Sequence, residues 1–441
     1  MKTSKADGKE VLSWCLYDFA NSAFATTILA VIFSRYYAGV VAGGSVGVDI
    51  TFFGKIHNVH GTALFNFVVT IAMFLVAITS PILGAWADSL SAKKKFLFAY
   101  IILGVVSTSM LATVGPGEWV WGAVWFILAN FAFAGGNVFY NAFLRDIAST
   151  EEMGRISGWG WGIGYLGGGL LLIINLIMLQ APQVFGFPEG FFTVHHCFAS
   201  VAIWWLLFSI PLLKNVKDQT SSTSLTLFEG AKDSFVRLGR SLREIKQHKQ
   251  LWRFLIAYIF FNDGVETVIL LASIFGNQEL GMSQELLIIF FLIIQFTAFL
   301  GSILFGKLTL HISTKHALLI TLFIWCFVVT WAYFIGWTGF AVREYFIMGI
   351  VAGTVMGASQ SLARAMQGTF TPKGREAEYY GFFSVSGRFA AILGPLTYGA
   401  VVAITDSLRN GILFLSLFFI IGIIILFTVD EDKGKKEAFG L

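Results

Sequence analysis

A segment of fourteen residues occurs twice in the chain, and each copy lies between two long apolar stretches. The first copy, SPILGAWADSLSAK, covers residues 80–93, and the second, SILFGKLTLHISTK, covers residues 302–315 at an offset of 222. Other matches repeat the offset approximately: Gly158 and Gly164 align with Gly381 and Gly387 at 223, and Tyr17, Asn21 and Thr26 align with Tyr258, Asn262 and Thr267 at 241. The duplication predicts a protein of two similar halves.

The sequence contains twelve apolar windows. Each is about 20 residues long, which is the length that a helix needs to cross a bilayer. The chain is 56% hydrophobic and 13% charged, with a mean hydropathy of +0.75, which is too apolar for a soluble domain. The windows lie near residues 11–35, 61–86, 95–114, 119–143, 157–180, 193–213, 251–274, 285–306, 316–336, 345–370, 379–404 and 411–429. We therefore predict an all-α membrane protein with about twelve transmembrane helices in two pseudo-symmetric six-helix halves. Internal repeats of this size are typical of secondary transporters, which bind substrate between the halves.

The predicted halves cover residues 1–213 and 251–441, and a polar linker covers residues 214–250. Within the linker, apolar residues recur at spacings of three and four while basic residues fall elsewhere, which indicates an amphipathic helix along the cytoplasmic membrane face. The apolar positions are Phe228, Ala231, Phe235, Leu238, Leu242 and Ile245. This helix is either a simple tether or a latch that limits how the halves move.

Lys and Arg residues predict the orientation. With both termini in the cytoplasm, 24 of the 30 basic residues fall in cytoplasmic segments, as the positive-inside rule requires. The first apolar stretch is too long for a signal peptide and lacks a cleavage site, so we expect it to remain as helix 1. The net charge of +4 then follows from topology, and we expect no nucleic-acid partner.

The string GAWADSLSAKKK resembles the loop between helices 2 and 3 of the major facilitator superfamily. That pattern is Gly, three residues, Asp, then a small residue and basic residues, and Gly84, Asp88 and Lys93–Lys95 match it, although Ser91 replaces a second Gly. The resemblance implies that Asp88 pairs with a basic group at the end of helix 4, here Arg145, and locks an outward-open state. The gating residues so implied are Gly84, Asp88, Lys93, Lys94 and Arg145.

Longer strings are similar to the vacuole-effluxer, autophagy-related branch of this superfamily, also called the unknown major facilitator group. They are SWCLYDFANSAFATTI, YNAFLRDIAS, GRISGWGWGIGYLGGGLLL and PKGREAEYYGFFSVSGRFAAILGPL, and they cover helices 1, 4, 5, 10 and 11. Fungal members are associated with amino-acid export from the vacuole. The resemblance therefore implies export of amino acids or related zwitterions. We expect the chain to lie in a bacterial cytoplasmic (inner) membrane or, alternatively, in the vacuolar membrane.

Five ionisable side chains lie well inside predicted helices: Asp18, Asp263, Glu266, Arg364 and Arg388. An Asp or Arg at a helix centre costs about 2.5–3.5 kcal/mol, so such groups usually face an aqueous cavity or a bundle interior. Asp263 and Glu266 share one face of helix 7, where mutual repulsion and lost hydration favour a proton on one of them. We predict that Asp18, Asp263 and Glu266 couple transport to protons. The alternative is that each acid pairs with an Arg or Asn of another helix.

Helices 4 and 10 carry matched polar stripes that suit a zwitterion or a carboxylate. Asn130, Ala134, Asn137 and Asn141 align at an offset of 223 with Gly353, Gly357, Gln360 and Arg364. A substrate carboxylate is expected at Arg388 or Arg364, and its ammonium group at Asp18. The predicted substrate-binding residues are Asn21, Asn137, Asn141, Asn262, Gln360, Arg364 and Arg388. Alternatively, the amides bridge neighbouring helices and Arg388 permanently neutralises Asp263 or Glu266.

Glycines alternate along helix 5, and Gly160, Gly164 and Gly168 have the small-xxx-small spacing of close helix packing. A gating role for the flanking Trp159 and Trp161 is the alternative. In helix 11, Pro395 predicts a kink. His195 and His196, at the outer start of helix 6, are expected to have a capping or interfacial role rather than to bind a metal ion.

No HExxH or GxxxxGK[ST] motif occurs, so we expect neither an enzyme nor an ATP-driven pump, and no cofactor. The expected partners are a small-molecule substrate, protons and the lipid bilayer, for a chain that acts as a monomer. Two alternatives remain: an exporter of larger amphipathic compounds or peptides, and a non-transporting receptor, scramblase or scaffold with the same fold.

Overall fold

The computed structural model describes residues 7–52, 54–218 and 248–439. Within these ranges, twelve helices are long and apolar enough to span a membrane. They are α1 (Gly8–Val41), α2 (Gly61–Ser89), α3 (Lys93–Leu111), α4 (Trp119–Ile147), α5 (Met153–Gln180), α6 (Val194–Asn215), α7 (Lys249–Gln278), α8 (Gln284–Leu308), α9 (Thr314–Tyr333), α10 (Ala341–Phe370), α11 (Glu376–Thr405) and α12 (Leu408–Phe427). The predicted fold class is confirmed. The amphipathic helix predicted in the linker lies outside the described residues.

The first spanning helix is longer and less regular than the sequence suggested. It is α-helical over Gly8–Ala23, and its outer part contains two π-helical segments, Phe24–Val31 and Tyr37–Val41. The segment after it contains an antiparallel hairpin of β1 (Val48–Phe52) and β2 (Lys55–Val59). A short helix, α13 (Glu431–Phe439), follows the last spanning helix.

The duplicated glycines make equivalent contacts between the two halves. A Cβ atom on Gly158 of α5 would lie 2.4 Å from the Ser302 carbonyl oxygen on α8, and one on Gly381 of α11 would lie 2.9 Å from the Ser80 carbonyl oxygen on α2. Gly158 and Gly381 are repeat partners, and so are Ser80 and Ser302. The sequence repeat is therefore a spatial repeat, and glycine is needed because backbone meets backbone at both places.

The same end of the bundle contains a second pair of close approaches. A Cβ on Gly84 of α2 would lie 2.4 Å from the Ala377 carbonyl oxygen, and one on Gly306 of α8 would lie 3.0 Å from the Gly154 carbonyl oxygen. These contacts occur where α2 and α8 end and where α5 and α11 begin. In the predicted orientation this is the cytoplasmic end, so the two halves touch closely there.

In each half, an acidic residue that follows the sixth spanning helix accepts a hydrogen bond at the start of the third spanning helix. The Asp218 carboxylate accepts a hydrogen bond of 3.0 Å from the Lys94 N–H at the start of α3. Glu431 accepts one of 2.9 Å from the Lys315 N–H at the start of α9. Burial raises the pKa of Asp218 above its ordinary value. A carboxylate at the start of a helix is stabilised by the positive end of the helix dipole.

Candidate functional site

A buried ion pair joins the two halves inside the membrane region. Arg364 of α10 is 2% exposed and Asp18 of α1 is 7% exposed, and Nη1 of the arginine lies 3.0 Å from Oδ2 of the aspartate. The Tyr140 hydroxyl donates a second hydrogen bond of 3.0 Å to the same carboxylate oxygen. Each charge therefore has its counter-charge on the other half.

Arg364 uses all three of its guanidinium nitrogens on the protein. Nε and Nη2 donate to the hydroxyl and carbonyl oxygens of Ser157 at 2.9 and 2.8 Å, and Nη1 also donates to Asn141 Oδ1 at 3.2 Å. The rings of Trp14 and Trp161 lie 4.7 and 5.4 Å from the guanidinium carbon. In this conformation Arg364 contacts both Asn141 and Asp18, so these three residues do not present free groups to a substrate. For Asp18, the structure therefore shows the alternative in which the acid pairs with an Arg of another helix.

The glycines of α5 provide the space for this ion pair. A Cβ on Gly160 would lie 2.7 Å from Arg364 Nη2, and one on Gly164 would lie 3.2 Å from Asp18 Cγ. A Cβ on Gly168 would lie 2.8 Å from the Thr26 methyl carbon of α1. The predicted close packing of these glycines is confirmed, and its consequence is that α5 lies directly against both charges.

Arg388 of α11 differs from Arg364 in having an unused donor. Its Nε atom is buried without a hydrogen-bond partner, and no ion pair within the described ranges includes its guanidinium group. The carboxylate of Glu266 on α7 acts on it electrostatically. An arginine whose buried N–H lacks a partner is available to a ligand carboxylate.

A chain of polar groups leads from Glu266 to the other half. Gln360 of α10 donates from Nε2 to Glu266 Oε1 over a long 3.5 Å, and the Tyr165 hydroxyl of α5 donates to Gln360 Oε1. Glu266 and Gln360, both singled out from the sequence, are therefore brought together. The amide of Gln360 links Glu266 to Tyr165, which sequence reasoning missed.

The remaining predicted site residues lie in three places. Asn21 of α1 donates a hydrogen bond of 2.7 Å to Asn137 Oδ1 of α4, so these two amides bridge neighbouring helices. Asn262 is buried beside Asp263 on α7. Asp263 is fully buried and accepts a hydrogen bond of 2.8 Å from the Gly394 N–H of α11. Asp263 and Glu266 therefore share a helix but contact different partners.

Asp88 contacts the backbone of α11 rather than the Arg145 side chain that the resemblance implied. Its two carboxylate oxygens accept hydrogen bonds of 3.2 and 2.8 Å from the N–H groups of Ala377 and Glu378, in the first turn of α11. Free N–H groups and the positive end of a helix dipole attract a carboxylate, which explains the contact physically. Asp88 still joins the two halves, although through a different partner.

The lysine that follows Asp88 adds a second connection. Lys93 Nζ lies 2.6 Å from Asp146 of α4 and 3.3 Å from Glu376 of α11, and all three side chains are buried. Lys94 instead donates from Nζ to the Val216 carbonyl oxygen, so its contacts stay within the first half. Arg145 lies in the electric field of Glu376 and Asp146. We name the set Asp88, Lys93, Asp146 and Glu376 the cytoplasmic latch.

Some of these partners could have been found in the sequence and others could not. Asp146 directly follows Arg145, so a search for acids beside the predicted basic group would have included it. Ser157, Tyr140 and Tyr165 lie within the strings that resemble the family but carry no charge that singles them out, and only the folded chain brings them to Arg364, Asp18 and Gln360. His196 forms the predicted cap, since it and Thr193 cap the start of α6 reciprocally. His195 Nε2 instead lies 3.1 Å from the Tyr36 hydroxyl and 3.0 Å from the Val114 carbonyl oxygen.

Comparisons with known proteins show the family of the chain. The model of a family described as "Vacuole effluxer Atg22 like" matches residues 6–154 and 145–439. An uncharacterized MFS-type transporter, YxiO of Bacillus subtilis (strain 168), is 31% identical over 98% of this chain and 97% of its own. Autophagy-related protein 22 of Vanderwaltozyma polyspora is 24% identical over 100% of this chain and 95% of its own.

Solved structures agree on the fold. The major facilitator transporter FucP in its outward conformation superposes with a TM-score of 0.69 at 13% identity, covering 95% of this chain and 98% of its own. The proton:xylose symporter XylE gives 0.68 at 13% identity, covering 97% of this chain and 96% of its own. These relatives are transporters and not enzymes. The chain belongs to the Atg22-like vacuole-effluxer family of major facilitator superfamily transporters.

Proposed function

We propose that this transporter exports amino acids or related zwitterions by alternating access, in a cycle coupled to protons. The observation that carries the proposal is Arg388, whose buried Nε–H has no partner and which lies in the field of Glu266. A substrate carboxylate supplies the acceptor that this donor lacks. An arginine also holds a carboxylate in a fixed orientation, because its donors form a planar fork.

Groups around Arg388 suit the other end of a zwitterion. The Glu266 carboxylate attracts an ammonium group, while Gln360 of the same half and Tyr165 of the opposite half offer hydrogen-bonding groups. A substrate held by α7, α10 and α11 of the second half and by Tyr165 of α5 in the first half then lies between the two halves, where secondary transporters bind their ligands. This revises the earlier expectation, because the ammonium partner is now Glu266 and not Asp18, which Arg364 already neutralises.

Proton coupling is assigned to Glu266 and Asp263, the two acids of α7 that no ion pair within the described residues neutralises. The buried acid Asp263 is especially costly to ionise, because a charge inside a bilayer needs a partner. Exchange of a proton for the substrate ammonium at Glu266 would link the two fluxes. The close contacts at the cytoplasmic end support an outward-facing conformation here, in a bacterial cytoplasmic membrane with both termini inside.

Flux through purified protein in proteoliposomes tests the proposal. We expect uptake of a labelled amino acid against its gradient when a pH gradient is imposed, and poor binding of the amidated form of the same amino acid. Arg343→Lys, which alters an exposed arginine at the start of α10, is the matched control for Arg388→Lys. Equal binding of acid and amide forms to the wild type would refute the carboxylate site. Absence of any flux, for amino acids or amphipathic compounds, would favour a receptor or scramblase.

A further inference from the structure

The segment between α5 and α6 exposes a cluster of aromatic side chains that the transport site does not use. It covers residues 181–193, and its sequence APQVFGFPEGFFT contains one charged residue, Glu189. Its exposed large apolar side chains are Val184, Phe185, Phe187 and Phe191. An exposed apolar patch of this kind marks a surface that another molecule covers.

The backbone holds this cluster in one arrangement. A 3₁₀ turn over Pro182–Phe185 ends at Gly186, whose φ of 79° is in the left-handed region that favours glycine. The Phe187 N–H then donates a hydrogen bond of 3.2 Å to the Pro182 carbonyl oxygen. The rings of Phe187 and Phe191 stack with their centroids 4.3 Å apart. The exposure of these rings is therefore a property of the folded segment.

The cluster is attached to the lipid-facing side of α6. Phe192 packs edge to face against His196, in the first turn of α6, with the ring centroids 5.7 Å apart. His196, Ile203 and Leu207 are spaced by seven and four residues, so they share one face of the helix. Ile203 and Leu207 are exposed on a helix that is long and apolar enough to span the membrane. This face of α6 therefore contacts the bilayer.

The other helix that bounds the segment, α5, also has a lipid-facing side. Its exposed side chains Leu166, Leu170 and Ile173 follow a spacing of four and three residues and form one stripe. Gly164, which faces α1, and Tyr165, which reaches Gln360 of the second half, lie on other sides of this helix. The segment thus continues two lipid-facing surfaces at the end of the bundle opposite the cytoplasmic latch.

The corresponding connection in the second half is much shorter. There α11 ends at Thr405 and α12 begins at Leu408, so Asp406 and Ser407 alone join the two helices. Two residues are therefore enough to connect helices in this position, and the fold does not require the longer segment 181–193. The additional residues of the first half supply exposed phenylalanines instead.

The position and the composition of the segment favour a membrane as its partner. Its one acid, Glu189, accepts a hydrogen bond of 3.1 Å from Gln183 Nε2. Segments with exposed aromatic side chains insert these about 5–10 Å into the boundary between lipid headgroups and acyl chains. We propose that a phenylalanine anchor, formed by Phe185, Phe187, Phe191 and Phe192, inserts into the leaflet at this end of the bundle. In the predicted orientation this is the outer leaflet, to which the anchor fixes the ends of α5 and α6.

A nitroxide label on the full chain in liposomes tests the anchor. The label is attached to Val184→Cys, which leaves all four phenylalanines in place. The matched control is Ile56→Cys in β2, because Ile56 is 72% exposed and Val184 is 71% exposed. We expect molecular oxygen, which concentrates in lipid, to relax the label at 184 more strongly than the label at 56. A water-soluble nickel chelate should show the reverse order, and the unsubstituted chain gives the background from the native cysteines.

Replacement of the rings tests whether they hold the segment in the leaflet. In the chain labelled at residue 184, Phe187→Ser combined with Phe191→Ser should shift the label from oxygen to nickel accessibility. The double replacement of the same residues by Leu keeps the side chains apolar and should leave the label in lipid.

Three outcomes would overturn the phenylalanine anchor. Equal nickel accessibility at residues 184 and 56 would place the segment in water. Protection of the label at 184 from both reagents would mean that protein, such as a second copy of this chain, covers the cluster. An unchanged label in the double Ser variant would mean that the rings do not hold the segment in lipid. None of these measurements depends on transport, so they test the anchor separately from the proposed export function.

Discussion

Arg364 donates a hydrogen bond of 3.2 Å to Asn141, the residue that the internal repeat aligns with it 223 positions earlier. Residues equivalent by a twofold relation touch each other only near the axis of that relation. The inner ends of the polar stripes on α4 and α10 therefore meet at the pseudo-twofold axis. The two halves differ at this point, because the second half has an arginine where the first half has an asparagine. The second half therefore supplies the positive charge of the ion pair, and the first half supplies the negative charge of Asp18.

Removing one member of the axial ion pair should strongly destabilise the protein. Asp18→Asn leaves Arg364 buried without its counter-charge, and loss of one partner of such a pair costs about 3–5 kcal/mol. Glu152→Gln, which breaks the half-exposed pair with Arg155, should cost only about 0–1 kcal/mol. The midpoint of thermal unfolding in detergent measures both changes. Equal midpoints for the two variants would contradict a structural role for Asp18.

Arg364 and Arg388 should respond differently to replacement by lysine. Arg388→Lys should weaken binding of a carboxylate substrate by about 1–3 kcal/mol, because lysine cannot present the planar fork, and it should change thermal stability little. Arg364→Lys should lower stability, because Ser157 and Asn141 lose their donors. Ligand titration and thermal unfolding, performed on both variants, separate the roles. A stability loss confined to Arg388→Lys would assign that residue to internal charge neutralisation.

The cytoplasmic latch should bias the conformational equilibrium. Asp88→Asn removes the negative charge at the start of α11 and one of its two N–H acceptors, so the population should move toward the inward-open state. Labelling of single cysteines on the two faces of the bundle reports this shift. Asp49→Asn, in the external hairpin, serves as the control. Unchanged labelling on both faces after Asp88→Asn would argue against the latch.

Closure at the cytoplasmic end should depend on the repeat-related glycines. In Gly158→Ala the new methyl carbon would lie 2.4 Å from the Ser302 carbonyl oxygen, so α5 and α8 cannot approach as closely. We expect Gly158→Ala and Gly381→Ala each to favour the inward-open state and to slow transport. Gly399→Ala on α11, where a Cβ meets nothing within 4 Å, should behave like the wild type. Cysteine crosslinking between α5 and α8 measures the separation, and wild-type crosslinking in Gly158→Ala would contradict the expectation.

Hydropathy and the repeat predicted most of the architecture, because bilayer thickness and duplication constrain the chain at every helix. Side-chain partners were harder to predict. The Asp18–Arg364 pair joins residues 346 positions apart, and nothing local distinguishes it from any other buried acid and base. The partner of Asp88 is a pair of backbone N–H groups, which no residue type identifies. The sequence places Asp263 and Glu266 on one face of α7. In the structure, however, Asp263 contacts α11 and Glu266 contacts α10.

The π-helical segment Phe24–Val31 in α1 determines where the chain can tolerate the deletion of a residue. A π-helical turn contains one more residue than an α-helical turn, and such turns occur frequently at functional sites. Deleting one residue there would restore α-helical winding while the inner half, with Asp18 and Asn21, keeps its facing. The same deletion in the middle of α7 would rotate everything beyond it by about 100°. Natural length variation among relatives is therefore expected in the outer half of α1 and not in α7.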